Sequence, residues 1–535
     1  MRPTLCTRNS GLRAALGLLV LLSLTMPSAA AEPDGPLAMR LRSRVETGQG
    51  GYTVVEKAAS WEPKETAIIV CDMWDLHHCL NAVRRGEEMA PRMDQVLKAA
   101  RDRGATIVHA PSSCTETYKD HPARKRALAA PRAKVLPRDI EQWCRQIPSE
   151  EKGTYPIDQS DGGEDDDQAE HAAWAAKLAA MGRNPKAPWK SQTSLLTIAD
   201  SDYISDSGPE IWSILEDRAI KHVVLLGVHL NMCVLGRPFG LRQMAKNGRD
   251  VVLMRDMTDT MYNPGRSPYV SHFTGTDLMV EHVEKFVCPT ITSDQLIGGV
   301  PFRFKGDHRP HVVFVIAEDE YKTELTLPVF ASAHLVKDYQ VSFALGTETE
   351  RDRIPGLGVL EGADIAVISV RRRVLPKEQL DAIRRFVSAG KGLIGLRTAS
   401  HAFAPRAGGA VPAGHDAWTA FDADVLGGNY HGHHGDGPPV ALTTAPSAES
   451  HPILNGVDAR KLFGHGSLYK VSPLARSATP LLIGSIPGQA AEPVAWVNAP
   501  ASKGRVFYAS LGQVDDFTEP EFNRLLKNAI DWVSK

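Results

Sequence analysis

The stretch TAIIVCD, at residues 66–72, is a run of small and apolar residues that ends in an aspartate. Such a run is typical of a parallel strand that is buried on both faces. Helices are predicted over 91–103, with Pro91 at the start, and over 233–246. Further strands of the same kind are predicted at 106–109, 222–228 and 251–254. This alternation of strand and helix predicts a doubly wound, mostly parallel sheet.

A second alternating unit follows a loop region, and we interpret residues 301–310 as the linker between them. Its predicted strands and helices lie at 311–316, 363–370, 376–389, 392–396, 505–509 and 519–533. The expected fold class is therefore α/β, with two doubly wound, mostly parallel-sheet domains in tandem at 50–300 and 311–535.

The length and the first residues set the class of protein. A chain of 535 residues exceeds what one hydrophobic core normally holds, and a formal net charge of -2 gives no electrostatic reason to expect nucleic acid as a partner. Basic residues precede an apolar stretch at 14–26, and small residues follow it. This pattern predicts a secretory signal over 1–31 and a periplasmic or extracellular protein. No later stretch is long enough to span a bilayer.

The cysteines all lie before residue 289. An even number follows the predicted signal, which in an exported protein suggests disulfides. Some of Cys79, Cys114, Cys144 and Cys288 are predicted to pair, and the connectivity stays open.

A long polar insertion is expected at 112–190, between the second and third strands. Its segment 158–167 is rich in aspartate and glycine. We interpret this segment as a solvated acidic loop. Calcium binding is the alternative that its composition allows, although the spacing does not match an EF-hand.

Two reactive side chains are expected at the carboxyl edge of the first sheet. Asp72 directly follows the first strand, and Cys233 begins the helix after the third. Ligands bind beyond this edge in open parallel sheets. A helix N-terminus lowers the pKa of a thiol and offers N–H groups to an oxyanion, while a carboxylate can accept the thiol proton. The pattern predicts a nucleophilic cysteine site. The alternatives are a buried structural cysteine and an aspartate that caps a loop.

Three segments resemble the isochorismatase-like cysteine hydrolases. They are IVCDMW at 69–74, GVHLNMCVL at 227–235 and NGRDVVLMRD at 247–256, within a resemblance that covers about 65–299. It implies a three-layer α/β/α fold and a triad of Asp, Lys and Cys. On these grounds Asp72 is the expected base, Cys233 the nucleophile and Lys190 the lysine that keeps Asp72 ionised. Lys186 is the alternative.

The resemblance implies hydrolysis of an amide or carbamoyl-type C–N bond in a small molecule. The N–H groups around Met232 and Cys233 are expected to hold the oxyanion. Residues expected to line this site are Trp74, Asp75, His77, His229 and Met232. This chain has Leu230 where the family usually has a small hydroxyl residue, and it lacks the metal motif of nicotinamidases at 110–114. No metal is expected here, and the ligand types at Asp75, His77 and His78 are interpreted as substrate contacts.

The C-terminal half resembles ThuA-like (trehalose-utilisation) domains. The matching segments are GKGLIGL at 390–396, LGGNYHGH at 426–433, HPI at 451–453, PVAW at 493–496 and GRVFYASLG at 504–512. The resemblance implies a fold like that of class I glutamine amidotransferases. Glutaminase chemistry by the usual route is excluded, because this half contains no cysteine.

A histidine-rich crevice is expected in this second domain. Its predicted residues are Arg397, His401, His431, His433, His465 and Tyr469. We interpret the histidines as hydrogen-bonding groups that order glycine-rich loops, and binding of a divalent metal is the alternative. The resemblance implies a carbohydrate-like ligand, which Asp422, Phe403, Trp418 and Tyr430 would suit.

The sequence thus supports two hypotheses for function. The first is an exported cysteine hydrolase of a small-molecule substrate, whose second domain binds or processes a carbohydrate-like ligand. The second is a non-catalytic binding or scaffold protein on two degenerate enzyme folds. The sequence does not define the substrate, and it leaves a homo-oligomer open.

Overall fold

The computed structural model describes most of the chain, namely residues 35–48, 51–406, 408–435, 437–446 and 448–535. The predicted signal at 1–31 lies outside these residues. Within the described ranges, no helix is both long and apolar enough to cross a bilayer.

The described part of the first domain contains eight strands and seven α-helices. The strands are β1 Leu37–Glu46, β2 Tyr52–Trp61, β3 Thr66–Cys71, β4 Thr106–Ala110, β5 Tyr203–Ile204, β6 His222–Val228, β7 Asp250–Asp259 and β8 Thr290–Ile291. The helices are α1 Leu80–Asp102, α2 Pro122–Ala129, α3 Gln168–Ala180, α4 Gly208–Asp217, α5 Leu241–Lys246, α6 His272–Phe286 and α7 Asp294–Ile297.

The second domain has a similar alternation followed by an antiparallel part. Its strands are β9 His311–Ala317, β10 Gln340–Leu345, β11 Ile365–Val370, β12 Leu375–Pro376, β13 Gly392–Leu396, β14 His415–Asp416, β15 Val440–Thr444, β16 Phe463–Gly464, β17 Ala478–Ser485, β18 Glu492–Asn498 and β19 Val506–Ala509. Its helices are α8 Thr323–His334, α9 Lys377–Ser388 and α10 Pro520–Val533.

The first sheet brings the ends of β3 and β6 together. Its strand order is β2-β1-β8-β7-β6-β3-β4-β5. In this order the last six strands, from β8 across to β5, run parallel to one another. Cys71 at the end of β3 lies opposite Gly227 of β6. A side chain at Gly227, whose φ is +108°, would collide with the Cys71 carbonyl. This close approach places the residues after both strands in one crevice.

The hairpin of β1 and β2 extends the first domain beyond its predicted start at residue 50. It pairs antiparallel, and β1 joins the sheet through β8. The sequence of β1, LAMRLRSRVE, alternates apolar and polar residues, which is the pattern of a strand with one buried face. Within the described residues, the first strand of this sheet therefore begins at Leu37.

Two helices differ from the sequence prediction. Helix α1 begins at Leu80, where Asp166 accepts hydrogen bonds from the Leu80 and Asn81 N–H groups, so Pro91 lies inside it. The helix predicted from Cys233 is divided into a single π turn, Leu230–Val234, and α5. Pro238 and Gly240 lie in the break, since proline cannot donate an intrahelical hydrogen bond.

The second sheet has the order β10-β9-β11-β13-β19-β18-β17-β15-β16. In this spatial order the first five strands, β10, β9, β11, β13 and β19, run parallel to one another. The following strands, β18, β17, β15 and β16, each pair antiparallel with their neighbours. The predicted α/β class, with two mostly parallel sheets, is confirmed. The carboxyl ends of β9, β11 and β13 form the edge of the sheet where its crevice lies.

The hairpin also connects the two domains. The Thr53 hydroxyl donates to the Glu324 carbonyl at 2.6 Å, and Val54 packs into the apolar core of the second domain. The first domain therefore contributes a strand to the packing of α8.

The insertion at 112–190 is folded against the domain, and its acidic segment is a loop in which Asp161 and Asp167 are exposed but Asp165 and Asp166 are paired rather than solvated. Arg85 donates to the Asp165 carboxylate at 2.7 Å, and Asp166 caps α1. These carboxylates are paired because the segment closes over the start of α1.

All six cysteines in the described part of the chain are free thiols, so the predicted pairing of Cys79, Cys114, Cys144 and Cys288 is not seen. They occupy separate places in the fold. Cys79 caps α1, for example, whereas Cys288 follows α6.

Glu150 ties the insertion to the domain core and should make stability depend on pH. Arg242 and His282 donate to its buried carboxylate at 2.7 and 2.9 Å. Burial opposes ionisation, but these hydrogen bonds outweigh burial and lower the pKa of Glu150 to about 2. A lowered carboxyl pKa stabilises the fold above the unfolded pKa of about 4.3, and this contribution disappears as the pH falls towards 2.

We therefore predict that Glu150→Gln costs about 3–5 kcal/mol at pH 7, because it leaves Arg242 buried without its counter-charge. The variant should also lose less stability than the wild type between pH 6 and pH 3. Thermal and urea unfolding at both pH values would measure this. Glu170→Gln is the matched control, since Glu170 forms an exposed pair with Arg84. Equal acid sensitivity in wild type and Glu150→Gln would contradict the prediction.

Candidate active site

Asp72 is a fully buried carboxylate at the end of β3. Its φ is +48°, a conformation that aspartate tolerates better than most residues. One carboxylate oxygen accepts a hydrogen bond from the Ser112 N–H at 2.8 Å, and the other accepts from Arg237 Nε at 3.0 Å. The strand end, the loop after β4 and the turn after β6 therefore hold this carboxylate in one place.

Cys233 lies in the turn Leu230–Val234 that follows β6, and it is buried. Its thiol lies beside Asp72 and Arg237, and both change its pKa. Burial raises the pKa of the thiol, Asp72 raises it further, and Arg237 lowers it. The expected lowering by a helix dipole is therefore wrong, because one helical turn offers little dipole against burial and an adjacent carboxylate. The resting thiol is protonated beside a carboxylate that can accept its proton.

The cation that contacts Asp72 is Arg237, and the expected roles of Lys190 and Lys186 are corrected accordingly. Both lysines are exposed. The Lys190 N–H donates to Asp75 Oδ1 at 2.9 Å, and its carbonyl accepts from Thr117, so this segment lies along the outside of the crevice. Burial raises the pKa of Asp72, while Arg237 and hydrogen bonds from Cys233 and Ser112 partly offset the effect.

Arg237 was missed by the sequence analysis, although a signal for it existed. It follows Cys233 by one helical turn, and residues four apart lie on the same face of a helix. The guanidinium also packs over the Trp143 ring at 4.8 Å. Trp143 belongs to the insertion, which therefore helps to form the wall of the site.

Aromatic side chains line a narrow cleft beside Asp72. It is bounded by Trp74, His77 and His229 among others. Trp74 stacks on Trp189 at 4.4 Å, and the His77 and His229 rings lie 4.9 Å apart. Burial lowers the pKa of both histidines, to about 4 for His229, so both are neutral at neutral pH.

Three other residues singled out in the sequence, Asp75, Met232 and Leu230, make contacts that support the fold. Asp75 pairs with Arg183 at 2.9 Å and anchors the insertion. The Met232 N–H donates to the His229 carbonyl at 3.0 Å, so Met232 does not supply the predicted oxyanion contact. Leu230 is fully buried in the apolar core, which explains why this position carries no hydroxyl group.

The side chains of the first domain that could together bind a metal already have hydrogen-bond or ion-pair partners in the protein. Among the described residues, Cys79, Asp165 and Asp166 bring ligand atoms together. Asp166 accepts hydrogen bonds from two N–H groups of α1, and Asp165 pairs with Arg85. This cluster is therefore the capped start of α1.

The second domain has a polar crevice beyond its parallel strands. The His401 ring stacks on Tyr430 at 4.6 Å, and Asp422 lies in the same wall. Asp422 Oδ2 accepts from the Tyr430 N–H at 2.7 Å, whereas Oδ1 is buried without a partner among the described residues. Burial raises the pKa of Asp422 to about 6, and burial and neighbouring arginines lower that of His401 to about 3.

Some of the residues predicted for this crevice line its wall, and the others do not. His401, His431 and His433 line it. Arg397 is buried beneath it between the rings of Tyr321 and Tyr469, at 4.1 and 4.7 Å. The remaining residue, His465, lies elsewhere and bonds to Glu519 at 3.2 Å. Phe403 is fully buried, and Trp418 packs on Phe421.

Comparison with known proteins gives a family match for the second domain. A family model described as ThuA, trehalose utilisation, matches residues 330–533, within the C-terminal half. A search of curated proteins found no match to the chain.

Similar solved structures each cover less than half of this chain. A putative ThuA-like protein from Bacteroides uniformis has 17% identity and a TM-score of 0.33, over 44% of this chain and 95% of that one. A cysteine hydrolase from Pseudomonas syringae has 15% identity and a TM-score of 0.27, over 44% and 93%. An isochorismatase family protein from Desulfovibrio vulgaris has 14% identity and a TM-score of 0.23, over 42% and 93%.

The contact between Asp72 and Cys233 predicts an unusual effect of removing the carboxylate. Asp72→Asn should lower the thiol pKa by about one unit or more, because a neighbouring negative charge is lost and Arg237 remains. The pH profile of iodoacetamide labelling, read by mass spectrometry of the Cys233 peptide, should shift to lower pH. The buried Cys288 in the same sample is the internal control. An unchanged profile, or one shifted to higher pH, would exclude the proposed contact.

Proposed function

We propose that the first domain is a cysteine hydrolase that cleaves an amide or carbamoyl-type C–N bond in a small molecule. The observation that carries this proposal is the Cys233 thiol beside the Asp72 carboxylate, which Arg237 and the Ser112 N–H hold in place. A nucleophile, its base and an orienting group within hydrogen-bond reach are the elements of covalent catalysis.

The chemistry proceeds by two acyl transfers. The thiol proton passes to Asp72 as sulfur attacks the carbonyl carbon, and the tetrahedral oxyanion forms. We assign the Cys233 N–H as an oxyanion donor. Collapse breaks the C–N bond, and Asp72 returns its proton to the leaving nitrogen. Water then attacks the thioester, giving the acid and restoring the thiol.

Arg237 has two consequences for this reaction. Before proton transfer it favours the charged form of Asp72, which burial disfavours. After transfer Asp72 is neutral, and the guanidinium stabilises the developing thiolate and oxyanion. We propose that Arg237 takes the role expected of the lysine.

The cleft favours an uncharged substrate with a planar face. His77 and His229 are neutral, and Trp74 offers an aromatic wall. Neutral imidazoles can donate and accept hydrogen bonds without adding charge, as an amide group requires.

A screen of amides and carbamoyl compounds with the purified protein tests this function. Cys233→Ala should abolish turnover, and Asp72→Asn should lower kcat by about 100-fold or more through loss of the base. Arg237→Lys should retain more activity than Arg237→Met, because it keeps the positive charge. His465→Ala, in the second domain, is the control and should remain fully active.

Failure of every substrate, in a protein whose Cys233 labelling profile does not depend on Asp72, would favour the alternative of a non-catalytic binding protein. Turnover that survives Cys233→Ala would overturn the cysteine mechanism itself. Export of the chain is also proposed, and the apolar stretch at 14–26 between basic and small residues supports it.

We further propose that the second-domain crevice binds a carbohydrate-like ligand. The stacked rings of His401 and Tyr430 and the unpartnered Asp422 oxygen support this, since sugars combine apolar faces with hydroxyl donors. Because the pKa of Asp422 is about 6, the carboxylate should accept ligand hydroxyls best above that pH.

Isothermal titration with a panel of neutral sugars at pH 7.5 and pH 5 would measure this dependence. Affinity should fall at pH 5 in the wild type and change little in Asp422→Asn. A wild type that binds sugars equally at both pH values would exclude Asp422 as the acceptor.

A further inference from the structure

A polar cavity lies where the two domains meet. Its first-domain walls are β1, the end of β7 and α6, and its second-domain walls are α8 and the start of β10. The linker at 301–310 borders it. Domain interfaces are frequent places for small-molecule sites, and neither proposed function uses this cavity.

Six arginines and six carboxylates line this cavity, and all of the arginines but one are paired within the described residues. The lining arginines are Arg40, Arg42, Arg44, Arg255, Arg303 and Arg309. Their partners within 4.0 Å are Glu56, Glu284, Glu281, Asp307 and Asp277. Arg255 is the exception, since no carboxylate of the described residues lies within this distance of it.

The contacts of Arg255 leave most of its donors unused by the protein. Its NH1 donates to the Thr290 hydroxyl at 3.0 Å, and that hydroxyl in turn donates to Glu284. Burial and the neighbouring Arg42 lower the pKa of Arg255 to about 10, so it remains charged at neutral pH. A partly buried guanidinium with free donors favours an oxyanion, whose geometry its planar fork matches.

Two acceptors in the same walls also lack partners. The Gln340 Oε1 atom at the start of β10 and the Asp294 Oδ1 atom at the start of α7 are buried, with no hydrogen bond in the described structure. Acceptors of this kind require donors, such as hydroxyl groups. The cavity thus offers a cation from the first domain and acceptors from both domains.

We propose that this interdomain cavity binds a small oxyanion that carries hydroxyl groups, either a hydroxycarboxylate or a phosphorylated polyol. Arg255 anchors the anion, and Gln340 accepts a hydroxyl from the second-domain side. Because the ligand contacts β7 and β10 at once, its binding stabilises the association of the two domains.

Isothermal titration of the full-length chain with gluconate, glycerol 3-phosphate, inorganic phosphate and uncharged glucitol tests the proposal. Gluconate or glycerol 3-phosphate should bind, glucitol should not, and phosphate alone should bind more weakly than the hydroxylated ligand. Whichever of the two hydroxylated anions binds more tightly shows whether the cavity prefers a carboxylate or a phosphate group. Arg255→Gln should weaken its binding by about tenfold or more, as loss of a charged hydrogen bond predicts.

Arg84→Gln is the matched control, because Arg84 is an exposed arginine whose partner is Glu170. Gln340→Glu is the second variant, and it should weaken anion binding by about tenfold by adding a negative charge from the other domain. Circular dichroism shows whether Arg255→Gln folds. If it does not fold, Gln340→Glu still tests the proposal.

Binding that survives both Arg255→Gln and Gln340→Glu would overturn the proposal, and so would a wild type that binds neither hydroxylated anion. Cys233→Ala should leave the affinity unchanged. The result therefore does not depend on whether the first domain is a hydrolase.

Discussion

A carboxylate removed from water must be neutralised, and Asp72 shows how this chain meets that requirement. Its side chain is fully buried at the end of a central strand, where burial alone favours the protonated form. Hydrogen bonds from the Ser112 N–H and the Arg237 guanidinium, which belong to two different loops, stabilise the charged carboxylate and offset this effect of burial. The positions of both loops are therefore coupled to the charge of one residue, and the thiol of Cys233 lies next to it as a consequence.

The same constraint explains how the insertion is held against the domain. Arg85 is buried and pairs with Asp259 of β7 and with Asp165 of the insertion, both at 2.7 Å. His272 of α6 bonds to the second oxygen of Asp259 at 2.8 Å. A buried charge without its partners is strongly destabilising, so these contacts specify where the insertion lies more than they add stability. His77 and His229 sit beside this network, which fixes one wall of the cleft.

Sequence patterns predicted the strands well and the charge pairing poorly. The run at 66–71 and the run at 222–228 coincide with β3 and β6, because a strand buried on both faces has a local signature. The hairpin of β1 and β2 was missed although β1 alternates, and Pro91 was given too much weight as a helix start. The spacing of four residues places Arg237 near Cys233, but the choice between Arg237 and Lys190 as the partner of Asp72 depends on how a broken helix and a long insertion pack.

The protonation state of the site bears on how such a cysteine could act at all. An exposed thiolate reacts with many electrophiles, whereas burial and Asp72 keep the Cys233 thiol protonated at neutral pH. In the proposed mechanism, proton transfer to Asp72 becomes favourable only when a carbonyl carbon is in place to accept the electrons of sulfur. Arg237 makes this coupling workable, since the positive charge remains next to whichever of the two groups is negative. A lysine on the exposed insertion could not do so without entering the crevice, whereas an arginine one turn beyond the cysteine is held there by the same backbone.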